Sequence, residues 1–119
     1  MVYIYNKLMP PIPDAGQELN NDYELSINIY EIKKTSIILR SLDHKLRQEL
    51  IKLIHQNKSI TVTQLYTQLR IEQSVVSQHL AILRRAGIVT ILRKGKLRYY
   101  SINTVRLEEI KNFAKNLAG

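Results

Sequence analysis

The fold is decided by residues 73–87, which read QSVVSQHLAILRRAG. Seven mostly apolar residues of this stretch fall on one side of a helical wheel: Val75, Val76, His79, Leu80, Ile82, Leu83 and Ala86. Gly87 is the residue type best suited to a left-handed C-terminal cap. The stretch therefore predicts a helix over about residues 73–86 that buries one face and ends at Gly87.

The opposite face of this helix carries hydroxyls, amides and guanidiniums and no acidic residue. Its members are Gln73, Ser74, Ser77, Gln78, Ala81, Arg84 and Arg85. In a DNA major groove, Gln pairs with adenine edges, Arg with guanine edges and Ser with either, while Ala contacts a thymine methyl. A solvated surface helix has a similar composition. This face alone therefore leaves DNA reading and plain solvation as equal alternatives.

A shorter helix is predicted just before this one. Residues 61–64 have the Thr-x-x-Gln form of a capping box, which opens a helix to about Leu69 with Leu65 and Leu69 facing inward. Residues 70–72 form a short turn. Two short helices joined by such a turn, the second ended by Gly, are typical of a helix-turn-helix.

A β-hairpin is predicted after Gly87. Residues 88–93 and 97–102 are rich in β-branched and aromatic side chains, and Lys94-Gly95-Lys96 joins them. Gly95 allows the turn, and the lysines make its tip basic. A hairpin in this position is the wing of a winged helix-turn-helix.

The rest of the chain completes a fold that is mainly α with a β-hairpin wing, in the order α1-α2-α3-α4-β-β-α5. The first helix is predicted over Tyr23–Ser41, the second after an N-cap at Asp43, and the last from Asn103 or Thr104 to about Leu117. This domain would span residues 23–119. Residues 1–22 are predicted to be an arm and linker. Residues 2–5 could form a short strand or lie on the body of the protein, and Pro10, Pro11 and Pro13 then exclude regular structure over a linker at residues 10–21.

Positive charge is concentrated around the helix-turn-helix and the wing. The chain has 18 Lys and Arg against 10 Asp and Glu, a net charge of +8. Seven basic residues and one acidic residue, Glu72, lie between Arg70 and Arg98, which gives a local charge of +6. Such an imbalance favours nucleic acid first and an anionic membrane second, and with the predicted helix-turn-helix the expected partner is double-stranded DNA. The predicted base contacts are Ser74, Ser77, Gln78 and Arg85. The predicted phosphate contacts are Gln73, Arg84, Arg93, Lys94, Lys96 and Arg98.

Other classes of protein are disfavoured by what the sequence lacks. It has no cysteine, which excludes disulfides and thiolate metal sites. It has no apolar run long enough to span a membrane and no signal peptide, so a cytoplasmic protein is expected. It has no Gly-rich phosphate loop and no catalytic set, so neither an enzyme nor a cofactor is expected.

Three segments together resemble the ArsR family of winged-helix regulators. They are Ser77-Gln78-His79-Leu80, residues 83–89 (LRRAGIV) and residues 94–100 (KGKLRYY). Arg47 with the aliphatic residues after it resembles the second helix of the family. The resemblance covers about residues 35–102. The sequence departs from it where His44 begins a segment that is usually Asp-Pro-x-Arg, and at Glu72, where Ser or Asp is usual.

The resemblance implies a dimer built from the first and last helices, a palindromic operator and repression that a signal releases. The first helix also has more large aliphatic residues than one docking face needs, which favours contact with a second subunit over a wholly intramolecular core. The residues expected at the dimer interface are Leu25, Ile29, Ile32, Leu107, Ile110, Ala114 and Leu117.

No metal-sensing site is expected, although many ArsR relatives sense metals. The helix before the turn has no cysteine and the last helix has no histidine. His79 is expected to pack and hydrogen-bond rather than bind a metal. The effector is therefore left open between a small organic molecule, another protein and none. Two alternative functions also remain, a winged-helix protein-interaction or dimerisation module and a nonspecific nucleic-acid binder.

Overall fold

The order of helices and strands is that of a winged helix-turn-helix. A computed structural model describes residues 26–119, and the predicted arm and linker over residues 1–22 lies outside them. The helices are α1 (Ile29–Leu42), α2 (Lys45–Asn57), α3 (Val62–Leu69), α4 (Gln73–Arg85) and α5 (Thr104–Ala118). The strands are β1 (Ile60–Thr61), β2 (Val89–Lys94) and β3 (Leu97–Ile102). The mainly α fold with a β-hairpin wing is confirmed.

The hairpin is part of a three-stranded antiparallel sheet in the order β1-β3-β2. Strands β2 and β3 pair from Val89 opposite Ile102 to Lys94 opposite Leu97. The turn between them has Gly95 at φ +61°, which fits a two-residue turn with Gly first. Strand β1, which the sequence did not predict, pairs Ile60 with Tyr100 and joins the hairpin to the start of α3.

One core holds the helices against the sheet. Val76, Leu80 and Leu83 on the inner face of α4 are each at most 1% exposed. They share the core with two α2 residues, Leu50 and Ile54. The remaining core members are Ile60, Leu65, Ala86, Ile88, Val89 and Tyr100. The inward face predicted for α4 is therefore the face that the fold buries.

Two predicted helix starts are wrong because the caps form at other polar residues. Residues 26–28 are not helical, so α1 begins at Ile29 rather than at Tyr23. The Asn28 side chain accepts a hydrogen bond from the Glu31 N–H at 3.2 Å and caps it. Asp43 ends α1, and the N-cap of α2 is His44, whose Nδ1 accepts from the Leu46 N–H at 3.1 Å.

The end of α4 and the start of α5 meet at one residue. Gly87 follows α4 with φ +75°, the left-handed conformation expected after a helix. The Asn103 side chain donates to the Gly87 carbonyl at 3.0 Å and accepts from the Arg106 N–H at 3.1 Å. The Asn103 backbone N–H also donates to the Ile88 carbonyl at 2.8 Å. Asn103 therefore fixes the direction of α5 relative to α4.

Replacing Thr61 with Ala should lower the free energy of unfolding by about 1 kcal/mol. Thr61 Oγ1 accepts from the Gln64 N–H at 3.3 Å, and Gln64 Oε1 accepts from the Thr61 N–H at 3.0 Å. The matched control is Thr67→Ala, an exposed position later in the same helix. Urea unfolding measures both variants. Equal effects of the two changes would contradict a stabilising role for this cap.

Candidate nucleic-acid interface

The polar face of α4 points away from the core along its whole length. Gln73, Ser74, Ser77, Gln78, Ala81, Arg84 and Arg85 are all exposed. This follows from burial of Val76, Leu80 and Leu83, because the side chains of a helix project in fixed directions about its axis. The structure thus presents the seven residues that the helical wheel placed together, with no acidic side chain among them.

A concave groove of about 730 Å³ separates this face from the wing. Six residues of α4 line one side of it: Gln73, Ser77, Leu80, Ala81, Arg84 and Arg85. The wing lines the other side with Lys96, Leu97 and Arg98. Four predicted phosphate contacts (Gln73, Arg84, Lys96 and Arg98) and two predicted base contacts (Ser77 and Arg85) therefore bound one groove. The other two base contacts, Ser74 and Gln78, are exposed but do not line it.

Two parts of the groove were not predicted from the sequence. The start of α3 contributes Thr61, Val62 and Thr63, and the wing contributes the half-exposed Leu97. The capping box predicted that α3 begins here, but only the pairing of β1 with β3 brings this end to the groove. The start of α3 adds hydroxyl groups and the positive end of a helix dipole to the groove rim.

The cations of the wing have few internal partners. Arg93 and Arg98 lie opposite each other on β2 and β3, and with Arg84 of α4 they line a smaller hollow beside the groove. Like charges directly opposite in a sheet are destabilising unless counter-charges screen them. Lys94 lies 5.7 Å from the centre of the Tyr99 ring. This arrangement creates a positive surface that suits a polyanion.

An arginine outside the groove holds α4 in place. Arg47 of α2 donates from Nε to the Ser41 carbonyl at 2.6 Å and from Nη2 to the Arg40 carbonyl at 3.1 Å. Its Nη1 lies 3.1 Å from His79 Nδ1. Arg47 therefore connects the end of α1 to the middle of α4, and His79 packs and hydrogen-bonds as the sequence predicted.

The surroundings of His79 favour its neutral imidazole form. Burial lowers the pKa of His79, and the neighbouring His44 and Arg47 lower it further. The His44 and His79 rings lie 4.5 Å apart between centroids. These two imidazoles have Arg47 beside them, and a cation there opposes binding of a metal ion. Among residues 26–119, no cluster of three His, Cys, Asp or Glu side chains suits a metal.

None of the helices formed by residues 26–119 is both long and apolar enough to cross a membrane. The fold and its basic groove define a winged helix-turn-helix DNA-binding protein. Comparison with known proteins supports this class. The family model described as "Bacterial regulatory protein, arsR family" matches residues 44–90.

Relatives of known name agree with the family model. The transcriptional repressor PagR of Bacillus anthracis is 31% identical over 84 residues, which cover 71% of this chain and 84% of PagR. The transcriptional activator HlyU of Vibrio cholerae is 27% identical, covering 69% of this chain and 79% of HlyU. The crystal structure of PagR superposes with a TM-score of 0.58 at 28% identity, over 76% of this chain and 99% of that one.

The chain belongs to the ArsR family of transcriptional regulators. The resemblance seen in the sequence is thereby confirmed. A more distant ArsR-like regulator from Rhodococcus sp. RHA1 shares the fold at 16% identity, with a TM-score of 0.66 over 75% of this chain and 83% of that one. Because the relatives are named regulators rather than enzymes, the expectation that the chain is not an enzyme is also confirmed.

The stability of the protein should fall more steeply with acid when His79 is present than when it is replaced. The pKa of His79 is lower in the folded state than in the unfolded chain, where it is about 6.5. The neutral imidazole therefore contributes stability above pH 6.5 that is lost as the pH falls through the folded-state pKa. In His79→Gln, which keeps an acceptor for Arg47 but does not titrate, this part of the pH dependence should disappear.

Urea unfolding at about pH 7.5 and about pH 5.5 tests this, because that interval includes the titration of histidine. The control is His55→Gln, an exposed position on α2 that does not contact Arg47. We expect the control to keep the pH dependence of the parent protein. If both variants lose stability with acid as the parent does, His79 does not titrate as proposed.

Proposed function

We propose that the protein is a dimeric repressor that binds a palindromic DNA operator. The observation that carries the proposal is the groove bounded by the polar face of α4 and the basic wing. A major groove is about 12 Å wide and accepts one α-helix. A recognition helix that lies in it, flanked by a basic hairpin, can read bases and hold phosphates together.

Base reading is assigned to Ser74, Ser77, Gln78 and Arg85. Ser74, Ser77 and Gln78 lie in the first half of α4, the part of a recognition helix that contacts base edges. All four side chains are exposed. The phosphate contacts are assigned to Gln73, Arg84, Arg93, Lys94, Lys96 and Arg98. All six are exposed, and they lie at the start of α4, on its last turn and along the wing.

Exposed apolar side chains on α1 and α5 support the proposed dimer. Ile29 is 59% exposed, Ile32 45% and Leu117 73%. Ala114 is exposed as well, whereas Leu107 and Ile110 are half-buried against the core of their own subunit. Leu25, the remaining proposed interface residue, lies outside the described residues. Two-fold symmetry would place the two recognition helices about one DNA turn apart, which requires a palindromic site.

Repression is the favoured outcome of binding. Two relatives, PagR and SdpR of Bacillus subtilis, are named repressors, while HlyU is named an activator. We further propose that the protein acts in the cytoplasm, where its DNA is, and that it has no metal-sensing site. Its effector would be a small molecule or another protein.

Selection of bound duplexes from a random pool tests this function directly. The selected sequences should converge on a palindrome, and binding should weaken steeply as salt rises because phosphate contacts release counterions. Steep salt dependence without a preferred sequence would identify a nonspecific nucleic-acid binder. Absence of salt-dependent binding would identify a protein-interaction or dimerisation module instead.

The double change Lys94→Ala and Lys96→Ala should weaken binding to all sequences alike. Removing one phosphate-binding cation reduces the slope of log K against log salt by about 0.9, so the slope should fall by about 1.8 per subunit. The matched control, Lys52→Ala with Lys115→Ala, removes the same charge from exposed positions on α2 and α5. Fluorescence anisotropy at several salt concentrations measures both. Changed base preference in the wing variant would show that the wing reads sequence.

Replacing Gln78 with Ala should relax the preference at one operator position by about 1–3 kcal/mol. The paired hydrogen bonds from the amide to adenine would disappear, while the phosphate contacts would stay. Gln68→Ala, an exposed position on α3, is the control. Comparing the selected sequence profiles measures the effect. If the profile of Gln78→Ala matches that of the parent protein, Gln78 does not read a base.

A further inference from the structure

A second concave surface lies near the C-terminal end of α4. It is a hollow of about 550 Å³ between α1, the last turn of α4 and the first turn of α5. Its volume lies within the range of small-molecule sites, about 300–1,000 Å³. The proposed DNA groove and the proposed dimer contacts at Ile29, Ile32 and Leu117 do not account for it, because none of those three residues lines it.

The floor of the hollow is aliphatic. Ile37 and Ile38 of α1 face Ile82 of α4 across it. Ile37 is 58% exposed, although a β-branched side chain of this size gains free energy when it is buried. Ile38 and Ile82 are half-buried. An apolar ligand body placed on this floor would remove all three side chains from water.

Three cations surround this floor. They are Lys34 of α1, Arg85 of α4 and Arg106 of α5. No acidic residue lines the hollow, and no carboxylate among residues 26–119 forms an ion pair with any of the three. The negative end of the α4 dipole offsets part of this charge, but a helix end amounts to only about half an elementary charge.

Gly87 lets Arg106 lie close to the end of α4. A Cβ at position 87 would lie 3.1 Å from Arg106 Nε and 3.3 Å from Nη2, closer than ordinary contacts. Any other residue would therefore displace the guanidinium by a few tenths of an ångström and would itself be strained at this positive φ. A guanidinium in this position can donate two parallel hydrogen bonds to one carboxylate.

We propose that this hollow is an effector site for an amphiphilic monocarboxylate, such as a medium-chain fatty acid. The carboxylate would bind Arg106 and Arg85, with Lys34 adding charge, and the hydrocarbon body would cover the isoleucine floor. The three basic groups repel a metal cation. A sugar phosphate would leave the isoleucine side chains of the floor exposed to water. The absence of any lining carboxylate favours a ligand that brings its own negative charge.

Arg85 connects this hollow to DNA binding. Its side chain lines both the hollow and the groove beside the wing. A carboxylate bound to Arg85 would draw the guanidinium away from DNA and lower the affinity for the operator. This regulatory step rests on the proposed function, whereas ligand binding to the hollow does not.

Calorimetric titration of the full-length chain without DNA tests the site, with octanoate as the probe. Octanol has the same chain without the charge, and acetate has the charge without the chain. Octanoate should bind once per subunit and at least about tenfold more tightly than either, since one charge-assisted pair accounts for such a factor. Equal binding of octanol, or no saturable binding of octanoate, would overturn the proposal.

Two variants locate the site. Arg106→Gln should weaken octanoate binding about tenfold, and the exposed Lys34→Gln should weaken it severalfold without a risk to folding. Lys115→Gln, also exposed on α5, should leave binding unchanged. Thermal unfolding of each variant checks that it is folded. Unchanged binding in a folded Arg106→Gln and in Lys34→Gln would place octanoate elsewhere and refute the assignment.

The regulatory step is tested with the DNA selected from the random pool. Octanoate should lower the affinity of the parent protein severalfold, while Arg106→Gln should bind the same DNA and respond little. Failure to select any sequence would defeat the proposed function but not the site, because the titration without DNA decides the site alone. Saturable octanoate binding with no change in DNA affinity would overturn the effector role.

Discussion

The inner face of α4 sets the geometry of everything else in the molecule. Burying Val76, Leu80 and Leu83 contributes about 1.5–3 kcal/mol for each side chain. A rotation of α4 that exposed them would thus cost several kcal/mol, more than the roughly 1–3 kcal/mol that one good base contact provides. A single base contact therefore cannot reorient this helix against its core. The face offered to a major groove is therefore fixed before any DNA arrives.

Hydrogen bonds from Arg47 hold α4 in addition to the burial of its apolar face. Arg47 bonds to two carbonyls at the end of α1 and to His79 in the middle of α4. A neutral imidazole suits this place because it accepts a hydrogen bond from the guanidinium and adds no positive charge beside it. Hydrophobic burial sets the rotation of α4, and Arg47 sets its position relative to α1. The two constraints act on the same inner side of one helix.

Elements with a long local pattern could be predicted from the sequence, and those decided by distant contacts could not. The wheel of α4 and the β-branched strands of the wing extend over six or more residues, so their faces agree with the structure and their ends agree to within one residue. Strand β1 has two residues and exists only because β3 lies beside it. The sequence predicts the start of α1 too early because the apolar pattern extends to residues before Asn28. The hydrogen bond from the Glu31 N–H to the Asn28 side chain decides where the helix begins.

The same distinction applies to the site. The exposed residues of α4 follow from helical periodicity, so all seven could be named in advance. The contributions of Thr63 and Leu97 to the groove depend on how α3 and the wing pack, which no local pattern encodes. The division of residues between bases and phosphates depends on the docking of the helix on DNA, so it remains a prediction. The hollow beside Arg106 is lined by residues of three helices, so it could not be predicted from the sequence.

The bonds of Asn103 have a consequence for the length of the operator. This residue bonds to Gly87, just after α4, and to the first turn of α5, so its hydrogen bonds help to set the angle between the reading helix and the proposed dimer helix. In a two-fold assembly the angle between α4 and α5 sets the separation of the two reading helices. The number of base pairs between half-sites would then be encoded at a side chain that contacts neither DNA nor the partner. Changes at Asn103 alone could then alter the operator spacing that the assembly accepts.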